Sequence, residues 1–174
     1  MGSYTCAIST GSEDYDWNST SSTQLNSIEN ETLLPPVSGA VFLNFDTSSV
    51  PSTEKVTDVT LRVYEVSYSA TRGLAKEYFA TIADSTWYQR AASQVVTFLG
   101  FGNRTIPLPT KFNAWVGKGT GARTRINVKV RDVKSGEFRT MNLQAYEYGN
   151  SSRYAQLTIN TTNAAKCQVW ISGD

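Results

Sequence analysis

Asp14-Tyr-Asp-Trp-Asn18 sets oxygen-bearing side chains at alternate positions, the D-x-D-x-N opening of a Ca²⁺-binding loop. Ser19 stands where the sharp turn of such a loop takes glycine, and Leu25 where its bidentate glutamate would be. A solvated acidic loop is therefore the default reading. Ca²⁺ held by Asp14, Asp16 and Asn18 is the alternative, and no other cofactor is implied. A second constellation is the basic run Arg123, Arg125, Lys129 and Arg131, placed by strand alternation on one polar face with Asn127 between. Such a stripe meets phosphates, acidic sugars or an acidic protein surface, or it is the wet side of a sheet. Trp87, Tyr88 and Trp115 form a third set, since aromatic rings in loops can stack on a pyranose face. In β-proteins most such rings anchor a core or an interface instead.

Catalysis finds little purchase. The chain has no histidine, which removes the commonest general base and the commonest metal ligand. No serine lies in a G-x-S-x-G turn, and the acidic residues are scattered. Gly117–Ala122 is glycine-rich but does not fit G-x-x-x-x-G-K-[ST], so it reads as a hairpin loop and not a phosphate cradle. No enzymatic activity is expected.

Charge is divided along the chain. Seven acidic residues and no basic one precede Lys55, while 16 basic and 8 acidic residues stand from Lys55 onward, giving the net +1. The acidic part either packs beside the basic remainder or draws another subunit onto it, through Glu13, Asp14 and Asp16 on one side and Arg123, Arg125, Lys129 and Arg131 on the other. An overall pI near 7.7 argues against nucleic acid as partner. No run of 18 apolar residues argues for a membrane span. With no base ahead of Lys55 there is no positively charged leader, so no secretory signal is expected. The two cysteines, Cys6 and Cys167, lie near opposite ends; they either pair or serve as two small buried hydrophobes.

The elements that position these groups are strands. Val41, Leu43 and Phe45 share one face of a period-two run, and Val59, Leu61 and Val63 share one face of the next, with Ser48-Ser-Val-Pro-Ser-Thr53 as the turn between. Ile126, Val128 and Val130 continue the pattern, as do Met141, Leu143 and Ala145, and then Ala155, Leu157 and Ile159. Tyr4–Ile8, Glu77–Ile82, Val95–Leu99 and Cys167–Ile171 read as further strands. Asp84–Ser93 reads as a short helical turn, Phe112–Val116 as a short helix or edge strand, and Asn160–Ala165 as a loop. The expectation is one all-β domain spanning 1–174, an antiparallel, jelly-roll-like β-sandwich of about eight to ten strands, one face dry and one wet. It carries a long, irregular polar segment at 9–39 and a C-terminal extension at 160–174.

Residues 40–51 followed by 56–64 resemble the DNRLRE-type β-sandwich module. Phe45, Asp46, Ser48, Ser49 and Pro51 match the first strand and turn of its motif, and Val56, Thr60, Leu61, Arg62 and Tyr64 match its second strand. Tyr154–Ile159 stands where the family has its final strand. Asn44 replaces the usual arginine, and residues 160–174 run past the expected end of the module. The resemblance implies a jelly-roll-like fold with surface, adhesive or carbohydrate-associated roles and no catalytic set. Together with the unsignalled N-terminus, this leads to a structural accessory subunit of a phage-like virion, a capsid-decoration or tail-surface protein. Its partners would be capsid or tail proteins or further copies of itself, with glycans as possible ligands. The alternative is an extracellular, cell-surface carbohydrate-binding or adhesion module.

Overall fold

The structure, a computed structural model, describes residues 1–10, 13–18, 23–25, 32–33, 39–68, 75–82, 90–97, 102–132, 138–139, 141–144 and 149–163. The chain is all-β. Its strands run β1 (Gly2–Ala7), β2 (Asp14–Asn18), β3 (Thr23–Leu25), β4 (Thr32–Leu33), β5 (Gly39–Asp46), β6 (Glu54–Tyr68), β7 (Ala75–Ile82) and β8 (Arg90–Thr97). They continue as β9 (Gly102–Pro107), β10 (Arg123–Asp132), β11 (Phe138–Arg139), β12 (Met141–Gln144) and β13 (Gln156–Asn163). Among the described residues helical backbone is confined to two 3₁₀ segments, Thr110–Trp115 and Ser151–Arg153. The described residues form thirteen strands where eight to ten were expected, the excess being the two- and three-residue strands β3, β4 and β11.

Every described pairing is antiparallel, and the strands form two sheets. The second sheet runs β3-β2-β5-β10-β7-β8, with β11 on β10. The first is organised around the 15-residue strand β6. Thr60, Leu61 and Arg62 pair with both β13 and β9, so those two strands lie on opposite edges of β6. Glu65 pairs with both Gly102 of β9 and Leu143 of β12, so β12 takes up the edge that β13 leaves. β1 then closes the sheet on the outer side of β13, from Gly2 opposite Thr161 to Ala7 opposite Gln156.

Alternation built this core as the sequence implies. Val41, Leu43, Phe45, Val59, Leu61, Val63, Ile126, Val128, Leu157 and Ile159 join one buried cluster drawn from both sheets. Such burial of aliphatic and aromatic side chains is the main force holding the two sheets' apolar faces out of water. Val56 belongs to that cluster although it is three residues from Val59. A β-bulge explains it. Asn160 pairs with Asp58 and Thr161 with Val56, so Thr57 has no partner across the ladder, and its hydroxyl reaches the Asn160 carbonyl at 3.0 Å. One extra residue on one strand reverses the facing of everything beyond it.

Four expectations are corrected. The segment 9–39 contains β2, β3 and β4, because β5 offers β2 a full ladder from Asp14 opposite Leu43 to Asn18 opposite Gly39. Residues 90–93 belong to β8 and not to a helical turn, since the β7 ladder continues through them. Asn160–Asn163 extend β13 along β6 and are not a loop. The dry-face, wet-face division fails at Phe42, which is buried on the other side of β5 from Val41 and Leu43.

Candidate functional site

The best-defined polar surface lies where two connections meet: the turn from Asp46 to Glu54, and the segment from Thr110 to Arg123. The first is pinned by the Asp46 carboxylate, which accepts from the Ser48 N–H at 3.0 Å. The Ser48 side chain first, and then that N–H, hold the Asp46 carboxyl below its ordinary range. The second is stapled to it. Gly119 N–H donates to the Val50 carbonyl at 2.8 Å and Thr47 N–H to the Ala122 carbonyl at 3.1 Å. Beneath them Thr47 and Thr124 share a buried hydroxyl–hydroxyl bond of 3.0 Å, and Thr124 Oγ1 also accepts from Gly117 N–H. Two buried hydroxyls are thereby satisfied without water. Glycine is required at 117, because a Cβ there would stand 2.5 Å from the Arg123 carbonyl oxygen. Gly119 sits at φ +87°, a region that favours glycine.

Between these connections lies an open groove of about 490 Å³. Val56 and Val116, both buried, give it apolar surface, and Thr110, Asn113, Lys55 and Lys118 give it polar groups. Asn113 Nδ2 donates to the Thr57 carbonyl at 2.7 Å, and Lys118 Nζ donates to the Glu54 carbonyl. Trp115 ends the 3₁₀ segment. It packs edge-on against the buried ring of Phe112, centroids 5.3 Å apart, and Lys111 Nζ lies 5.8 Å from its ring centre.

Three carboxylate-centred clusters brace the surroundings. Buried Glu13 accepts from Ser9 N–H at 2.6 Å, Ser9 Oγ at 3.0 Å, Thr10 N–H at 3.2 Å and the Arg123 guanidinium. Arg123 also donates to Asn44 Oδ1 and to the Asn44 carbonyl, each at 2.9 Å. Burial pushes the Glu13 carboxyl up, but the Ser9 and Arg123 hydrogen bonds and the arginine charge outweigh it and hold the carboxyl below its ordinary range. Glu54 accepts from Tyr4 Oη at 3.0 Å and from the Thr161 hydroxyl, joining β1, β6 and β13. Glu65, fully buried, meets Arg104 of β9 at 3.4 Å.

Several sequence candidates are thus placed. Glu13 and Arg123 meet each other within the chain, which is the packing alternative for the divided charge. Arg125 is exposed on β10; Lys129 and Arg131 continue that strand, their side chains outside the described residues. Asp14, Asp16 and Asn18 lie on β2 and not in a loop, so their Cα atoms run in a line at about 3.3 Å per residue and do not circle a point. Among the described residues no group of three His, Cys, Asp or Glu is placed to hold a metal ion. Trp115 is half-buried against the core beside Phe112 and does not line the groove, whereas Trp87 and Tyr88 lie outside the described residues. Cys6 is buried, and burial first, with the Asp46 charge, raises its thiol pKa against an opposing Ser49 hydrogen bond. Cys167 lies outside the described residues, and the pairing of the two cysteines with it.

Asn113, Glu54 and the Glu65–Arg104 pair are absent from the sequence candidates. Glu65 was within reach, because it extends the inward positions 59, 61 and 63 of β6. No protein-family model matches this chain, and no curated protein matches it. No helix among the described residues is long and apolar enough to cross a membrane.

Proposed function

We propose that this chain is a non-enzymatic structural protein, a jelly-roll-like β-sandwich of the DNRLRE type. It serves as an accessory or decoration subunit on the capsid or tail surface of a phage-like virion, bound to neighbouring protein subunits. One observation carries the assembly reading. Among the described residues β1 is paired on one side only, by β13, and its sequence Gly-Ser-Tyr-Thr-Cys-Ala contains neither a charge nor a proline. Natural sheets guard open edges with lysine, proline or bulges, and an unguarded edge is a template for another chain. The deciding measurement is molar mass by light scattering at low and high salt, for the wild type and for Thr5→Lys, which puts a charge on the exposed side of β1. An oligomer that Thr5→Lys dissociates supports the reading; a wild-type monomer at both salts overturns it.

A second reading is an extracellular carbohydrate-binding or adhesion module. It is favoured by the groove of about 490 Å³, within the size usual for small-ligand sites. A glycan array with wild type and Trp115→Ala tests it: absence of binding removes the reading.

A further inference from the structure

The open side of β1 presents its peptide groups in a fixed pattern. Just past the strand, the Ile8 N–H donates to the Ala155 carbonyl at 3.1 Å; at its start, the Gly2 carbonyl accepts from the Thr161 hydroxyl at 3.4 Å. Both contacts follow the register that sets Gly2 opposite Thr161 and Ala7 opposite Gln156. In an antiparallel ladder successive residues turn their peptide groups to opposite sides. Gly2, Tyr4, Cys6 and Ile8 therefore face β13, and the N–H and C=O groups of Ser3, Thr5 and Ala7 face away from it. Among the described residues no strand takes up those three donors and three acceptors. Side chains alternate in step. Cys6 is buried and Tyr4 packs against the buried cluster, while Ser3 and Thr5 are exposed.

An incoming strand must match that spacing, keep its apolar side chains on the core side and place no charge against a like charge. Residues 2–7 meet all three demands on themselves. With a two-fold axis through Thr5, perpendicular to the sheet, Ser3 stands opposite the partner's Ala7, Thr5 opposite the partner's Thr5, and Ala7 opposite the partner's Ser3. Each such pair exchanges two hydrogen bonds, so every outward group is used. An axis through Tyr4 or Cys6 would leave Ala7 or Ser3 without a partner in β1. The axis at Thr5 also sets Tyr4 opposite the partner's Cys6, so core side meets core side. Parallel pairing would need an axis along the strands, which turns the core face of one copy outward. No charged residue lies within 2–7, so the symmetry opposes no like charges in the joint. We propose that two copies of this chain join β1 to β1, antiparallel about Thr5, into one continuous sheet. The contact is isologous and closes at two chains. It rests on the assembly reading and names the partner at that edge as a second copy of the chain.

The test is molar mass over a concentration series, joined to disulfide trapping of cysteine variants made on Cys167→Ser; Cys6 is buried and stays out of reach. Wild type should pass reversibly from one chain to two and no further. Opposed Thr5 Cα atoms would lie about 5.5 Å apart, a span that a disulfide bridges, so Thr5→Cys should link to itself under oxidised glutathione. Ser3→Cys should not, because the two Ser3 positions would stand about 13 Å apart along the strands, but it should link to Ala7→Cys when the two variants are mixed. Ser3→Pro removes a donor that faces away from β13, where an edge strand accepts proline, and removes it from both copies at once. It should raise the dissociation constant about thirtyfold, the effect of two hydrogen bonds, and leave the melting of the dilute, monomeric chain little changed. Dimers untouched by Ser3→Pro, or in which Thr5→Cys stays reduced or Ser3→Cys links to itself as fast, overturn this joint while the assembly reading stands. Masses that climb past two chains do the same, since they reveal a head-to-tail contact. A wild-type monomer throughout overturns inference and reading alike.

Discussion

Glu13 shows how a single carboxylate ties acid resistance to one contact. Its folded-state pKa lies below that of the unfolded chain. Its contribution is therefore complete above the unfolded value and is lost as pH falls through the folded one. Melting temperature should drop as pH is lowered from about 5 toward 3, the range in which depressed carboxylates are titrated. Glu13→Gln should flatten part of that fall, the remainder including Asp46, whose carboxyl is depressed in the same direction. A Glu13→Gln profile parallel to wild type would show that the carboxylate does not bear the load. Removing the other partner, Arg123→Met, leaves the buried carboxylate uncompensated and should cost about 2 kcal/mol in chemical denaturation, less than a fully buried pair because Arg123 is a third exposed. Cys6 makes the converse case. Only 5% exposed and with a raised thiol pKa, it should react with a thiol reagent in a Cys167→Ser background only after unfolding. Rapid labelling of the native protein would contradict its burial.

At the scale of elements, two irregularities set the geometry. The bulge at Thr57 lets β6 present Val56 and Val59 to one core; deleting Thr57 would put the two valines two places apart on a regular ladder, so both should stay inward and unfolding in urea should remain cooperative. At Gly117 an added methyl meets a carbonyl oxygen of the backbone, which has no rotamer to escape by. Gly117→Ala should lower stability by about 1–3 kcal/mol, measured by urea titration. Regular strands are legible in the sequence itself: period-two spacing marks the inward residues at 41–45, 59–63, 126–128 and 157–159. Irregular features are not. Neither the bulge nor the paired loops leave a periodic trace, because both depend on what lies across the ladder. The polar strands β2 and β4 are equally hidden, since Asp-Tyr-Asp-Trp-Asn and Thr-Leu gain their extended form from β5 and β12, not from their own propensity. The groove shares this opacity. Lys55 stands at the start of β6 while Asn113 and Lys118 belong to the Thr110–Arg123 segment, and they meet only once that segment docks on the turn.

For the whole molecule, the two sheets share one buried cluster, and the functional readings divide over which surface meets a partner. Thr5→Lys addresses the open side of β1, whereas Lys55→Met and Lys118→Met address the groove, so the two surfaces can be altered separately. Loss of oligomers with intact sugar binding, or the reverse, would assign each surface its own role.

The position of β1 has a further consequence for biogenesis. Residues 2–7 leave a ribosome well before their described partner, residues 156–161, does. β1 is therefore made long before it can pair with β13, and closing so long a loop is entropically costly and slow. Until β13 arrives, β1 and the adjoining edge of β6 both wait unpaired. A nascent chain stalled before residue 156 should consequently bind holdase chaperones. Its release should coincide with insertion of β13, the single event that pairs β1 and that edge of β6 at once.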